Sequence, residues 1–254
     1  MDSILYLVFA LAYAVLFFWM IALTLSRRRI IASDLAALVV AALVYDNAVL
    51  AVGALVGEGE GLRVANGLRF WMHAFATPLL VIVGWHAMSR AGIRWAARGW
   101  AAAAAVALSA VLIAWELATS TLRMELVAET EYGAVSYSDA AAPAGPPVMA
   151  LIVVAVLLLA GILVWIRQKW PWLTVAAVVM VAGISIPLPV QSGAVTNAFE
   201  LLLLIGVVAT IGFQDGAEPA PAPTGLGRLP RSAGGTARDA GSPSRADDAP
   251  RMRR

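Results

Sequence analysis

SILYLVFALAYAVLFFWMIALTLSRRR, residues 3–29, is an unbroken apolar run over 3–25 closed at once by Arg27, Arg28 and Arg29. A helix of about 20 residues, rising ~1.5 Å per residue, crosses the hydrocarbon core of a bilayer. A cleaved export signal would begin with basic residues and have a shorter apolar centre, so this stretch reads as a retained first span with its N-terminus outside.

Six more stretches share its character, at approximately 34–56, 66–88, 99–122, 147–166, 171–188 and 196–213. Hydrophobic residues make up 61% of the 254 and charged residues 13%, about half the charged share of a soluble domain, with a mean hydropathy of +0.82. The expected fold is therefore an all-α polytopic membrane protein: a seven-helix domain over 1–213 and a tail over 214–254. The tail, rich in Ala, Pro, Gly and Ser with seven arginines against five acids, has too little apolar surface to fold and reads as disordered and cytoplasmic. No internal repeat is visible, and an odd number of spans argues against a simple inverted-repeat transporter.

Basic residues alternate along the chain. Arg27–Arg29 follow the first span, Arg90, Arg94 and Arg98 the third, Arg167 and Lys169 the fifth, and seven arginines the seventh, whereas the intervening loops hold only Arg63 and Arg123. By the positive-inside rule the N-terminus lies outside and the C-terminus inside. The loop 123–146, acidic through Glu125, Glu129, Glu131 and Asp139, belongs outside. The fifth and sixth spans form a tight hairpin around Arg167–Trp170, and Pro187 and Pro189 end the sixth. Arginine outnumbers lysine 17 to 1. That bias fits a GC-rich bacterial genome, and the expected location is a bacterial plasma membrane. The tryptophans, Trp19, Trp71, Trp95, Trp100, Trp165, Trp170 and Trp172 among them, mostly fall near span ends, as interfacial anchors do.

Against this apolar background Asp46, Arg69, His73, Glu116 and Glu200 stand out. Ionisable groups within spans are costly and mark functional interiors. With the N-terminus outside, Asp46 and Asn47 fall near mid-membrane, Arg69 about 5 Å and His73 about 10 Å below the outer end, and Glu116 about 9 Å below it. Asn197 and Glu200 lie within about two turns of the same surface. Asn66, Arg69, His73 and Thr77 follow the 3–4 spacing of one helical stripe, and Pro78 should weaken the helix just beyond it. These residues are expected to line an outward-opening cavity between the second, third, fourth and seventh spans, with the fifth and sixth as scaffold or lipid-facing walls.

One obligate cation faces three carboxylates there, a surplus of two negatives with His73 neutral. Burial disfavours that state, so a carboxylate holds a proton, His73 takes a charge, or a cation binds. Asp46, His73, Glu116 and Glu200 are the candidate acid/base groups, and Asn47, Asn66, Arg69, Thr77 and Asn197 the candidate ligand-binding groups. The rival reading is a polar lock that ties helices together.

Familiar chemistry is thin. With no cysteine, disulfides, Cys-ligated zinc and thiol catalysis are excluded. No HExxH, P-loop or dinucleotide fingerprint occurs, so no cofactor is assigned. A metal would need His73 with Asp46 and Glu116 or Glu200, an oxygen-rich and nonspecific set. His86 is too far along the helix from His73 to share a metal and sits near the inner interface. The last span lacks the lysine a retinal Schiff base needs. Gly53 and Gly57 form a GxxxG spacing read as packing. Three functions follow in order: an outward-facing site that binds or modifies a lipid-like amphipathic molecule by acid/base chemistry, a proton-coupled transporter of a small solute or ion, and a non-catalytic assembly partner. Membrane lipids and a lipid-like or small-molecule ligand are the expected partners; nucleic acid is not. Transport is disfavoured at this stage because the inner half of the spans is poor in polar side chains.

Overall fold

The computed structural model describes residues 2–142, 147–185 and 193–217. It is an all-α polytopic membrane protein with one small β-hairpin. The helices are α1 (Asp2–Arg27), α2 (Leu35–Val56), α3 (Glu60–Ala76), α4 (Leu79–Arg90), α5 (Gly99–Thr119), α6 (Val148–Gln168), α7 (Trp172–Ser185) and α8 (Gly193–Ala217). Strands β1 (Leu126–Glu131) and β2 (Ala134–Asp139) form the hairpin between α5 and α6. Among the described residues six segments are long and apolar enough to cross a membrane, α3 and α4 counting together, while α7 is shorter at 14 residues. Pro187 and Pro189, expected to end that span, lie outside the described residues, as does the tail from residue 218 onward.

The packing is that of a bundle in lipid. Tyr13, Met20, Val40, Met149, Leu157, Val164 and Val208 are fully buried between helices. Ile4, Leu7, Leu11, Val15, Phe18 and Leu25 form an exposed apolar stripe along α1. Their 3–4 spacing puts them on one face, and an apolar face of that length suits hydrocarbon rather than water.

Three expectations change. The third span is two helices, and it begins at Glu60 rather than residue 66. The break falls at Thr77–Pro78, because proline has no N–H to give to the carbonyl one turn back. Ser109 Oγ on α5 donates to the Pro78 carbonyl at 2.9 Å and ties α5 to the break. Next, the loop 123–146 is not wholly irregular. Leu126 pairs with Asp139 and Glu131 with Ala134, and Tyr132 and Gly133 turn the chain at positive φ, as a two-residue hairpin loop requires. This hairpin packs on α2 at Gly53, where any Cβ would run into the Val135 carbonyl. The GxxxG spacing therefore serves a strand contact at Gly53 and a helix end at Gly57, whose N–H bonds back to Gly53 O at 2.9 Å. The last change concerns residues 214–217. Assigned to the tail by composition, they continue α8.

The two ends of the bundle differ in chemistry. At one, the hairpin turn meets the start of α1 (Asp2 N to Tyr132 O, 3.3 Å; Ser3 Oγ to Gly133 O, 3.1 Å), and Tyr137 OH accepts from Gly59 N at 3.1 Å. The other gathers Arg27, Arg90, Arg167 and the close of α8. Arg27, Arg90 and Arg167, drawn from three of the alternating basic clusters, thus converge at one end.

Candidate functional site

Asp46 on α2 and Arg69 on α3 are the centre. Arg69 Nε donates to Asp46 Oδ1 at 2.8 Å, and its Nη1 donates to Asn66 Oδ1 at 2.6 Å. Asn66, fully buried, anchors itself with Nδ2 to Leu62 O at 2.8 Å. Tyr45 OH donates to Ala65 O at 3.1 Å and holds α2 against α3 beside the pair. The guanidinium is thus aimed from two sides and committed to one carboxylate.

One turn further along α3 lies His73, with Nδ1 3.3 Å from Thr77 Oγ1. The stripe Asn66, Arg69, His73 and Thr77 therefore forms as its spacing predicts. Arg69, His73 and Thr77 border a small void of about 10 Å³ beside Asp46. His73 and Thr77 also border a cavity of about 50 Å³, with Glu200 of α8 on its wall. Val39, Leu43, His73 and Thr77 line both, so the two spaces adjoin at the imidazole. A void needs roughly 10–15 Å³ to take one water, so the larger cavity has room for a few water molecules.

Glu200 makes no hydrogen bond or ion pair among the described residues, yet it lies close enough to Asp46 and Arg69 to feel their charge. The pairing of Arg69 with Asp46 leaves Glu200 as the acidic group on the cavity without a cation of its own. An ionised carboxylate in that position is expensive in a low-dielectric interior.

The other candidates stand apart. Asn47 is fully buried, but its Nδ2 bonds to Leu43 O at 3.0 Å within its own helix, and it lines neither space. Glu116 on α5 lines neither space and makes no hydrogen bond or ion pair among the described residues; only its field reaches His73. The expected cavity therefore shifts. The fourth span, α5, contributes no lining residue, while α6 (Ala150, Val153, Val154) and α7 (Met180) supply the apolar wall. With Glu116 outside, the surplus shrinks from two negatives to one. Asn197 is adjacent rather than central: its Nδ2 bonds to Gly193 O at 3.1 Å and its main-chain carbonyl accepts from Tyr13 OH at 3.3 Å. Among the described residues no group of three or more His, Asp or Glu side chains is placed to hold a metal ion.

Sequence reasoning missed Tyr13. It is fully buried on α1, close enough to Glu200 and Asp46 to feel both charges. A tyrosine in the middle of the first apolar run was the available signal, since a buried phenol needs a hydrogen-bond partner.

A second charged group was missed at the arginine-rich end. Asp215 of α8 meets Arg27 Nε of α1 at 3.0 Å and Arg90 Nη2 of α4 at 2.8 Å. Arg27 also pairs with Asp34, whose carboxylate accepts from Thr24 Oγ1 and Ile31 N, each at 2.7 Å. Gln214 Nε2 donates to Ala87 O at 3.0 Å and to Gln168 Oε1 at 2.9 Å. His86, expected at the interface, has Nδ1 2.7 Å from the fully buried Ser33 Oγ and ties α4 to the approach of α2. The half of the spans judged poor in polar side chains thus ends in a buried charged layer.

Compared with protein-family models, with curated proteins and with solved structures, the chain has no significant match in any of the three.

Proposed function

We propose that this membrane protein carries an intramembrane proton-exchange site, made of Asp46, Arg69, His73 and Glu200, and uses it in the proton-coupled movement of a small solute or ion. The observation that carries the reading is Glu200: a carboxyl on a water-sized cavity that an imidazole also lines, with no ion-pair partner among the described residues. Arg69 and Asp46 cancel one another. A proton arriving at or leaving Glu200 therefore changes the net charge of the cavity by one full unit, which is what couples protonation to the binding of another charge. His73 lines both the void beside Asp46 and the cavity that holds Glu200, and its two ring nitrogens can take up and release a proton there. Buried charged side chains also occur at the far end of the bundle, so polar groups are not confined to one half.

Reconstitution in liposomes tests it. Wild-type protein under an imposed potential acidifies or alkalises the lumen, followed with an enclosed pH dye, and infrared difference spectra between acid and alkaline buffer contain a protonated-carboxyl band. The Glu200→Gln variant loses the band and most of the flux. If Glu200→Gln keeps both, the reading fails.

The aliphatic wall of the cavity favours a second reading, acid/base chemistry on an amphipathic molecule. Val153, Val154, Leu203 and Leu204 would face its tail, and His73 and Glu200 its polar end. Ligand pockets usually measure roughly 300–1,000 Å³, so this reading requires α6 and α8 to part.

A further inference from the structure

A separate feature lies on the outer surface of the bundle, between α7 and α8. There a groove of about 420 Å³ runs from Trp170 and Trp172 toward Val179 and Leu202. Its floor is made of small residues. Ala176 and Gly206 are buried against one another, so closely that a Cβ at Gly206 would come within 2.6 Å of Ala176 Cβ. Its walls are large and exposed: Val175 is 45% and Ile205 40% accessible. A small-residue floor between bulky walls makes a trough, and this one is almost wholly apolar.

The mouth of the trough is rigid and charged. Trp170 donates from Nε1 to Thr210 Oγ1 at 3.1 Å and stacks on Phe213 at 4.4 Å between centroids. Arg167 and Lys169, both exposed, immediately precede it. Lys169 takes a left-handed conformation, φ 60°, and its N–H bonds to Trp165 O at 2.8 Å, which fixes the turn that presents it. No acidic residue occurs anywhere between 140 and 199 in the sequence, so the α6–α7 hairpin carries no anion to match these two cations.

We propose that the α7–α8 groove holds an acyl chain of an anionic glycerophospholipid, with Arg167 and Lys169 on its phosphate. A chain lying in the trough leaves its headgroup at the tryptophan end, the depth at which such rings sit in a bilayer. That end also carries the cations, and an anionic headgroup there gains from each of them. A docked helix would fill the trough but leave the two cations unmatched.

Native mass spectrometry of the full chain, released from detergent with anionic and zwitterionic phospholipids of identical chains at equal concentration, tests this. The wild type retains the anionic lipid over the zwitterionic one by about thirtyfold, the size expected from two cations near a phosphate. Reversing both cations, Arg167→Glu with Lys169→Glu, alters only exposed side chains, and retention of the two lipids becomes equal. Filling the trough with Ala209→Phe lowers retention of both. Equal retention by the wild type overturns the proposal, as does unchanged retention in Ala209→Phe. Because the chain has no cysteine, Leu202→Cys gives a single clean crosslinking site. Efficient disulfide dimers in native membranes would assign the groove to a second copy and overturn the lipid reading. None of these changes touches Glu200 or His73, so failure here leaves the proton-exchange reading standing, and the reverse also holds.

Discussion

The two charged layers of this bundle are built from similar side chains and arranged to opposite ends. At the arginine-rich end two arginines face two aspartates, Arg27 and Arg90 against Asp34 and Asp215, and the four charges cancel. Their side chains are only 7–11% accessible. At the hairpin end one arginine faces one aspartate, and a second carboxyl sits on a cavity that an imidazole also lines. A neutral layer ties α1, α4 and α8 together. An unbalanced layer beside a water-sized space reaches neutrality when its carboxyl holds a proton or a cation binds. The balance of charge and the presence of space, rather than the number of polar residues, distinguish a lock from a site.

The largest expected effect attacks the neutral layer. Asp215→Ala removes the carboxylate that the buried Arg27 and Arg90 share and should cost about 3–5 kcal/mol, seen as a steep loss of folded protein in detergent thermal melts. Adding Arg90→Met should recover part of that loss by removing one of the two buried cations. Full stability in Asp215→Ala alone would erase the contrast between the layers.

Gly53→Ala should come next. It forces the Val135 carbonyl away from α2 and costs about 1–3 kcal/mol, with faster proteolysis within 126–139 as a direct readout. Asp46→Ala should cost about 1–2 kcal/mol, less than Asp215→Ala because the Arg69–Asp46 side chains are 13% and 21% accessible and solvent screens the charge left behind. The same variant should also shift the pH dependence of any flux, which no lock would do. The smallest effect on folding belongs to Glu200→Gln. With no partner to lose, its melt should move by less than ~0.5 kcal/mol, while the carboxyl infrared band disappears. A destabilisation as large as that of Asp215→Ala would place Glu200 in a lock and end the comparison.

Particular residues show where the reading of the chain succeeded and where it stopped. The stripe Asn66–Arg69–His73–Thr77 and the break at Pro78 were legible, because helical periodicity and the missing proline N–H act within one or two turns. Asp215 was not. It follows the last apolar run and precedes a segment of Ala, Pro and Gly, so composition assigned it to the tail, whereas its partners Arg27 and Arg90 looked like ordinary flanking arginines. Glu116 misled for a related reason: its depth matched the cluster, but depth says nothing about which way α5 is turned.

The sequence by itself determined that the chain builds membrane-spanning helices, how they alternate, and which polar residues lie within them. Those properties follow from the length and composition of single segments against the thickness of a bilayer. Only the tertiary structure decided that Arg69 belongs to Asp46, that Glu200 and His73 line one cavity, and that Asp215 closes a neutral layer with Arg27 and Arg90. Such pairings depend on the rotation of each helix about its own axis and on contacts between opposite ends of the chain, and no local pattern encodes either.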